Sequence, residues 1–441
     1  MRINFFILFL IILLVNCSFD NKSGIWSGDQ ISKKEQNLFS EFETITSAQN
    51  SFNKIIPIDS NFKFKISKKI TTSNWIDTEY DFTNNFKNFK YNNLNKLILK
   101  SKKLSNYKLN KNILLHDGNL ISSDERGNII IYSITQKKII RKFNFYKKKY
   151  RKIKKNLFYI IDNEIIYISD NIGYLYSYDY RNNKILWAKN YKIPFRSNLK
   201  IFENNLIGAN QNNNFYFFDK NTGEILRLIP TEETLVKNAF INSISLNKSS
   251  SLFLNTYGSL YAINNQSKTI SWFLNLNQSI DLNPSNLFIG NQVINDGKRI
   301  VSSSNYFTYV LDNQSGSILF KKNFSSKIKP IILNDYLFLI TKNNLLISMD
   351  MNDGSIIYSY DINKKIADFL EIKKKSVEFK NLFIADDKIF IFLKNSYLIK
   401  LNINGEIEQL TKLPAKIYSN PIFINDSIYY LDDKNKLSII G

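Results

Sequence analysis

Acid–base, nucleophilic and metal chemistry draw most often on histidine and cysteine, and this chain has one of each: His116 and Cys17. A structural zinc site takes about four Cys/His ligands, and a single cysteine forms no disulfide within the chain. A Ser-His-Asp or Cys-His unit would have to use His116. That residue stands in Leu114-Leu115-His116-Asp117-Gly118, a strand running into a turn, where a packing or surface role is expected. The carboxylates fall mostly at turn positions and form no visible cluster. No catalytic residue, metal ligand or cofactor contact is therefore assigned, and any chemistry of Cys17 depends on its place at the N-terminus.

That place has a recognisable pattern. Met1-Arg2-Ile3-Asn4 is a short positive stretch, and Phe5 to Val15 is an unbroken apolar run of eleven residues. A membrane-spanning helix needs about 20, so the run fits the apolar core of a signal peptide. It stops at Leu14-Val15-Asn16-Cys17-Ser18, which resembles the lipobox of bacterial lipoproteins, although that class prefers Gly, Ala or Ser where Asn16 stands. The resemblance implies a signal peptide over 1–16 and lipidation of Cys17. Palmitate-type acyl chains would then hold a folded domain on a membrane surface. Ser18, rather than Asp, after the cysteine implies the outer membrane. Residues 17–69 read as lipid anchor and polar tether. Within them Ser32-Lys33-Lys34-Glu35 has capping-box spacing, and Leu38, Phe39, Phe42 and Ile45 follow at helical intervals, so one short amphipathic helix is expected.

The elements that would position any site come from a repeat. Gly173-Tyr174-Leu175-Tyr176-Ser177-Tyr178-Asp179 leads to Lys184-Ile185-Leu186-Trp187, and Gly258-Ser259-Leu260-Tyr261-Ala262-Ile263-Asn264 leads to Thr269-Ile270-Ser271-Trp272. Further copies turn at Ile134, Asp219, Asp312, Asp350 and Asn402, and the successive steps between turns are 45, 40, 45, 48, 38 and 52 residues. That period suits a four-stranded propeller blade. Turns of the form Asp-x-x-x-Gly place Gly223, Gly316 and Gly354 where positive φ is expected. The strand after each turn carries an aromatic (Trp187, Trp272, Phe320 or Tyr358), expected to pack between blades. An eighth copy ends at Gly441 after three strands. An unpaired blade edge is an aggregation hazard, so Lys96 to Leu104 is expected to pair with Lys436 to Ile440. The fold expected is all-β: an eight-bladed β-propeller of four-stranded antiparallel blades over 70–441, its ring closed by an N-terminal strand.

The composition has ample core material, 44% hydrophobic and 14% aromatic, and a net charge of +22. The densest basic run is Lys147, Lys148, Lys149, Arg151, Lys152, Lys154 and Lys155. Two readings stand for it: a solvated inter-strand loop, or a surface for phosphate-bearing lipid or an acidic partner. An export signal argues against nucleic acid as the partner.

The recurring Gly-x-Leu-Tyr-x-x-Asp…Thr-Gly-x-x-x-Trp pattern resembles the quinoprotein (PQQ-like) propeller repeat. Two families within that group compete. Quinone-cofactor dehydrogenases imply calcium and, in many, an adjacent cysteine pair, which this sequence lacks. BamB-like lipoproteins of the outer-membrane β-barrel assembly machinery imply a non-catalytic adapter and no cofactor. The lipobox, eight repeats, tether and lead-in Ser73-Asn74-Trp75-Ile76 are similar to the second. That resemblance implies a monomeric subunit of a hetero-complex, lipid-anchored in the outer membrane and facing the periplasm, docked on the POTRA region of a BamA-like barrel-inserting subunit. It also implies partner contacts in Lys192-Ile193-Pro194-Phe195-Arg196-Ser197-Asn198, with Phe195 an apolar anchor and Arg196 a charged, hydrogen-bonding one. A loop arginine bonding a neighbouring turn is the other reading of Arg196. A propeller lipoprotein binding carbohydrate or another envelope polymer is the alternative function.

Overall fold

The computed structural model describes residues 18–19, 26–27, 51–150, 152–233, 239–277 and 288–441. Signal peptide, Cys17 and the helix expected at 32–45 lie outside them. The chain divides into Met1–Phe52 and Asn53–Gly441. In the first unit, Ser18–Phe19 pairs antiparallel with Trp26–Ser27. The second holds eight sheets of four antiparallel strands, the blades of a β-propeller.

Blade I is built from Leu114–His116, Asn119–Ser123, Asn128–Ser133 and Lys138–Asn144, and blade II from Leu157–Asp162, Ile165–Asp170, Tyr174–Asp179 and Lys184–Asn190. The inner strands of blades III to VIII begin at Lys200, Ser243, Ile294, Ile331, Phe379 and Ile422. In blade VIII the fourth strand is Leu97–Lys100, with Ser438 opposite Lys100 and Ile439 opposite Leu99. Inner and middle strands are buried on both faces, so they read as continuous apolar runs (Tyr336–Ile340 is buried throughout). Outer strands are more exposed, and Lys184–Asn190 alternates between exposed and half-buried residues.

Two side-chain devices recur because each blade must make the same turns. At the turn between the two middle strands an Asp or Asn oxygen collects backbone N–H groups. Asp170 Oδ1 accepts from Ile172, Gly173 and Tyr174 at 2.8, 2.8 and 2.9 Å, and Asn255 Oδ1 accepts from Tyr257, Gly258 and Ser259. At the turn into the outer strand, Asp219 Oδ1 accepts from Asn221 and Thr222. The carboxylates that looked like turn residues in the sequence are turn residues, satisfied by local backbone.

Residues 53–69 are packed on the propeller rather than strung out from it. Ile56 pairs with Ser359 in the outer strand of blade VI, and Phe64 stacks edge-on against Tyr336 at 4.9 Å. The sequence expectation placed the whole of 17–69 in the tether. Phe62, Phe64 and Ile66 are the apolar residues that fasten its last part to the ring.

Candidate functional site

The connection from the outer strand of blade II to the inner strand of blade III carries the residues singled out for partner binding. Its backbone is fastened on three sides. Phe195 N–H donates to Asp170 O at 2.9 Å, Arg196 N–H to Ala209 O at 3.0 Å, and Asn242 N–H to Arg196 O at 3.1 Å, tying together blades II, III and IV. Ser197 Oγ accepts from Ala209 N–H at 2.7 Å. Asn198 bonds both backbone groups of Ile244, its amide donating to the carbonyl and its oxygen accepting from the N–H. The loop is therefore rigid.

The two side chains have different fates. Phe195 is 2% exposed and packs with Tyr191, Tyr216 and Phe218 between blades II and III. An apolar anchor offered to a partner must be accessible, and this one is a core residue that props the loop from beneath. Arg196 is half-buried, and its guanidinium donates to Phe240 O at 3.0 Å. Burial pushes the guanidinium down from its ordinary value. So Arg196 does bond a neighbouring segment, from a place at the surface.

Two other singled-out residues are structural. His116 Nδ1 meets Tyr180 Oη at 2.9 Å, a packing role. In the basic run Lys155 is 3% exposed, its ammonium over the Tyr146 ring at 4.9 Å and bonded to Tyr150 O. Lys154 reaches Glu125. Lys147, Lys148, Lys149, Lys152 and Lys154 are exposed on the connection between blades I and II, which has a short 3₁₀ turn at Lys148–Tyr150, so apart from Lys155 the described part of the run is an exposed inter-strand loop, as either reading requires.

Sequence reasoning missed a further feature. The segment from Thr72 to Phe89 runs round the inside of the ring and bonds every blade. Trp75 exchanges backbone bonds with Leu115 of blade I, and Ile161 of blade II donates to Ile76 O. Lys200 of blade III donates to Asp77 Oδ2 at 2.6 Å and Asp81 O at 2.7 Å. Leu246 of blade IV donates to Phe82 O, and Asn295 of blade V to Thr83 O. The Asn85 amide brackets Ile332 of blade VI. Asn88–Phe89 adds a parallel strand to Ile384–Ala385 of blade VII, and Asn425 beside blade VIII donates to Thr72 O. Trp75, Phe86 and Phe89 fill the axis together with Phe383 and Phe423, Phe86 stacking on Phe383 at 4.4 Å and Phe89 on Phe423 at 5.4 Å.

Two ion pairs lock this segment. Asp77 and Lys200 are 5% and 0% exposed at the side chain. Burial pushes the Asp77 carboxyl up from its usual range, while Lys200 and the Glu79 N–H pull it back. Glu79 holds Lys329 of the blade V–VI connection at 2.9 Å, and that ammonium lies 3.5 Å over the Phe86 ring. Among the described residues no group of three His, Cys, Asp or Glu side chains is arranged to hold a metal ion.

No protein-family model matches the chain. The outer membrane protein assembly factor BamB of Shewanella oneidensis is 22% identical over 306 residues, 63% of this chain and 73% of that protein. The crystal structure of BamB from Moraxella catarrhalis superposes with a TM-score of 0.61 at 14% identity, covering 78% of this chain and all of that one. In sequence this chain is similar to BamB, and in fold it is a β-propeller like that of BamB. The quinohemoprotein alcohol dehydrogenase ADHIIG of Pseudomonas putida HK5 reaches the same TM-score of 0.61, at 9% identity and over 84% of this chain and 80% of its own. The ring geometry alone therefore does not separate assembly factors from dehydrogenases. The sequence match to BamB carries that distinction.

Proposed function

We propose that this BamB-like chain is a non-catalytic scaffold subunit of the outer-membrane protein assembly machinery. The observation that carries the reading is the match to an assembly factor over 306 residues, joined to the same eight-bladed fold. The occupied axis supports it. Segment 72–89 occupies much of the centre of the ring, its Phe86 and Phe89 stacked on Phe383 and Phe423. By the same reading the chain is lipidated at Cys17, anchored in the outer membrane and facing the periplasm. It docks the POTRA region of a BamA-like barrel-inserting subunit through the face that carries Arg196, with Phe195 holding the loop in place. Rigid loops on a rigid ring suit an adapter, because little conformational entropy is lost on docking.

The test is purification of the tagged full chain from solubilised membranes, in wild-type and Arg196→Glu forms, with the co-purifying chains identified. Recovery of the barrel-inserting subunit by wild type and its loss in the variant is the expected result. Recovery by neither form, from membranes in which that subunit is soluble, rejects the scaffold reading. Cys17→Ser should release the protein from the outer-membrane fraction; its retention there would reject the lipid anchor.

A further inference from the structure

Beside segment 72–89 lies an unfilled space. On the ring face where each inner strand begins, the face that also carries Arg196, lies a cavity of about 230 Å³. Trp75, Phe86 and Phe383 form its aromatic wall, and its charged lining residues are Glu79, Lys327, Lys329 and Lys380. They come from the interior segment and from blades VI and VII, so the fold alone assembles them.

The charge in this cavity is unbalanced. Lys329 is matched by Glu79. Lys380 donates to the carbonyl of Tyr418 at 2.8 Å, and the charged groups that act on it are both cations, Lys111 and Lys394. Lys380 is half-buried, and even partial desolvation of a cation without an anion is costly. The lining also holds two polar atoms without partners, the indole N–H of Trp75 and Oδ1 of Asn381, although buried polar groups are paired as a rule. Both atoms are sealed from solvent, so it is the ring of Trp75, 1% exposed, that faces the cavity. Burial, with Lys111 and Lys394, also lowers the Lys380 ammonium to about 8.

We infer that this cavity binds an oxyanion, the carboxylate or phosphate group of a small molecule, with the Lys380 ammonium as its principal partner and the Trp75–Phe86–Phe383 wall against its body. The volume admits a small molecule or a single projecting group, not a folded partner. The inference stands apart from the scaffold reading, since it needs neither the membrane nor the assembly subunit.

The experiment titrates the purified full chain with inorganic phosphate, acetate and benzoate at constant ionic strength, chloride being the reference, and reads heat and the indole N–H resonances. Saturable binding in the phosphate arm or in a carboxylate arm is expected and tells the two sources apart. Lys380→Gln should weaken it at least tenfold and Lys380→Arg should restore most of it, while Lys434→Gln, on the distant blade VIII turn, leaves it unchanged. In wild type the Trp75 indole resonance should move with saturation and that of Trp187, already bonded to Lys220 O at 3.0 Å, should not. The resonance test holds even if Lys380→Gln fails to fold. No binding beyond chloride in any arm, a still Trp75 resonance, or wild-type affinity in folded Lys380→Gln each overturns the assignment.

Discussion

Trp187 and Gly223 are made for each other across a blade boundary: a Cβ on Gly223 would lie 2.6 Å from the six-membered ring of Trp187. Gly223 stands at φ +74°, in the left-handed region. The outer-strand indole of blade II lies flush on the turn of blade III and donates to Lys220 O. Gly223→Ala adds backbone strain to this contact, and together they should cost about 2–4 kcal/mol. Urea unfolding measures it. A variant within about 0.5 kcal/mol of wild type would mean that the turn yields and that inter-blade fit is not what selects glycine here.

Gly316 under Trp272 and Gly354 under Phe320 repeat the relation, which is why the repeat was legible. The left-handed position recurs at this turn, as glycine at 223, 316 and 354 and as Lys137, Asn183 and Lys268 in other blades, and the period emerges from simple spacing. Segment 72–89 had no such signal. Asn84, Asn85 and Asn88 find their partners up to about 300 positions away: Ile244 and Val293, Ile332, and Asp387. In a chain so rich in asparagine nothing local distinguishes them from turn residues. Trp75 was recognised by its motif, but not as a filler of the axis. Phe195 shows the opposite limit. An apolar residue before an arginine reads the same in a core as in an interface, and only the packing of Tyr191 and Phe218 around it decides.

That packing separates the two neighbours experimentally. Phe195→Ala empties a buried site and should destabilise the ring by about 3–5 kcal/mol. Arg196→Glu removes the half-buried hydrogen bond to Phe240 O and should cost less, about 1–2 kcal/mol. Thermal unfolding of the two variants ranks them. If Phe195→Ala melts with wild type, its side chain is not the loop's support, and the exposed-anchor expectation regains its standing.

Asp77 and Lys200 join the interior segment to blade III out of water. Removing one partner strands a buried charge, so Asp77→Ala should lose about 3–5 kcal/mol. Asp77→Ala combined with Lys200→Met should lose markedly less than the sum of the single changes, because no charge is left unpaired. Additive losses in a double-mutant cycle would show that the pair does not act as a unit.

Lys380 provides the sign of a pH effect. Its ammonium is pushed down to about 8 by burial and by Lys111 and Lys394, while an unfolded lysine titrates near 10.4. Across the cavity Lys329 and Glu79 form a matched pair and add no net charge of their own. Between those two values the folded chain binds fewer protons at this site than the unfolded chain. Its contribution to stability therefore rises with pH through the window. The full shift corresponds to about 3 kcal/mol, and partial solvent access reduces it to about 1–2 kcal/mol. Lys380→Met should flatten this rise relative to wild type, and the difference between the two proteins cancels every other titrating group. Oxyanion binding has the opposite slope, because the anion needs the ammonium charged: affinity should hold below about pH 8 and fall above it. A wild-type affinity that is level from pH 7 to 9.5 would show that Lys380 does not hold the anion, even if the cavity does.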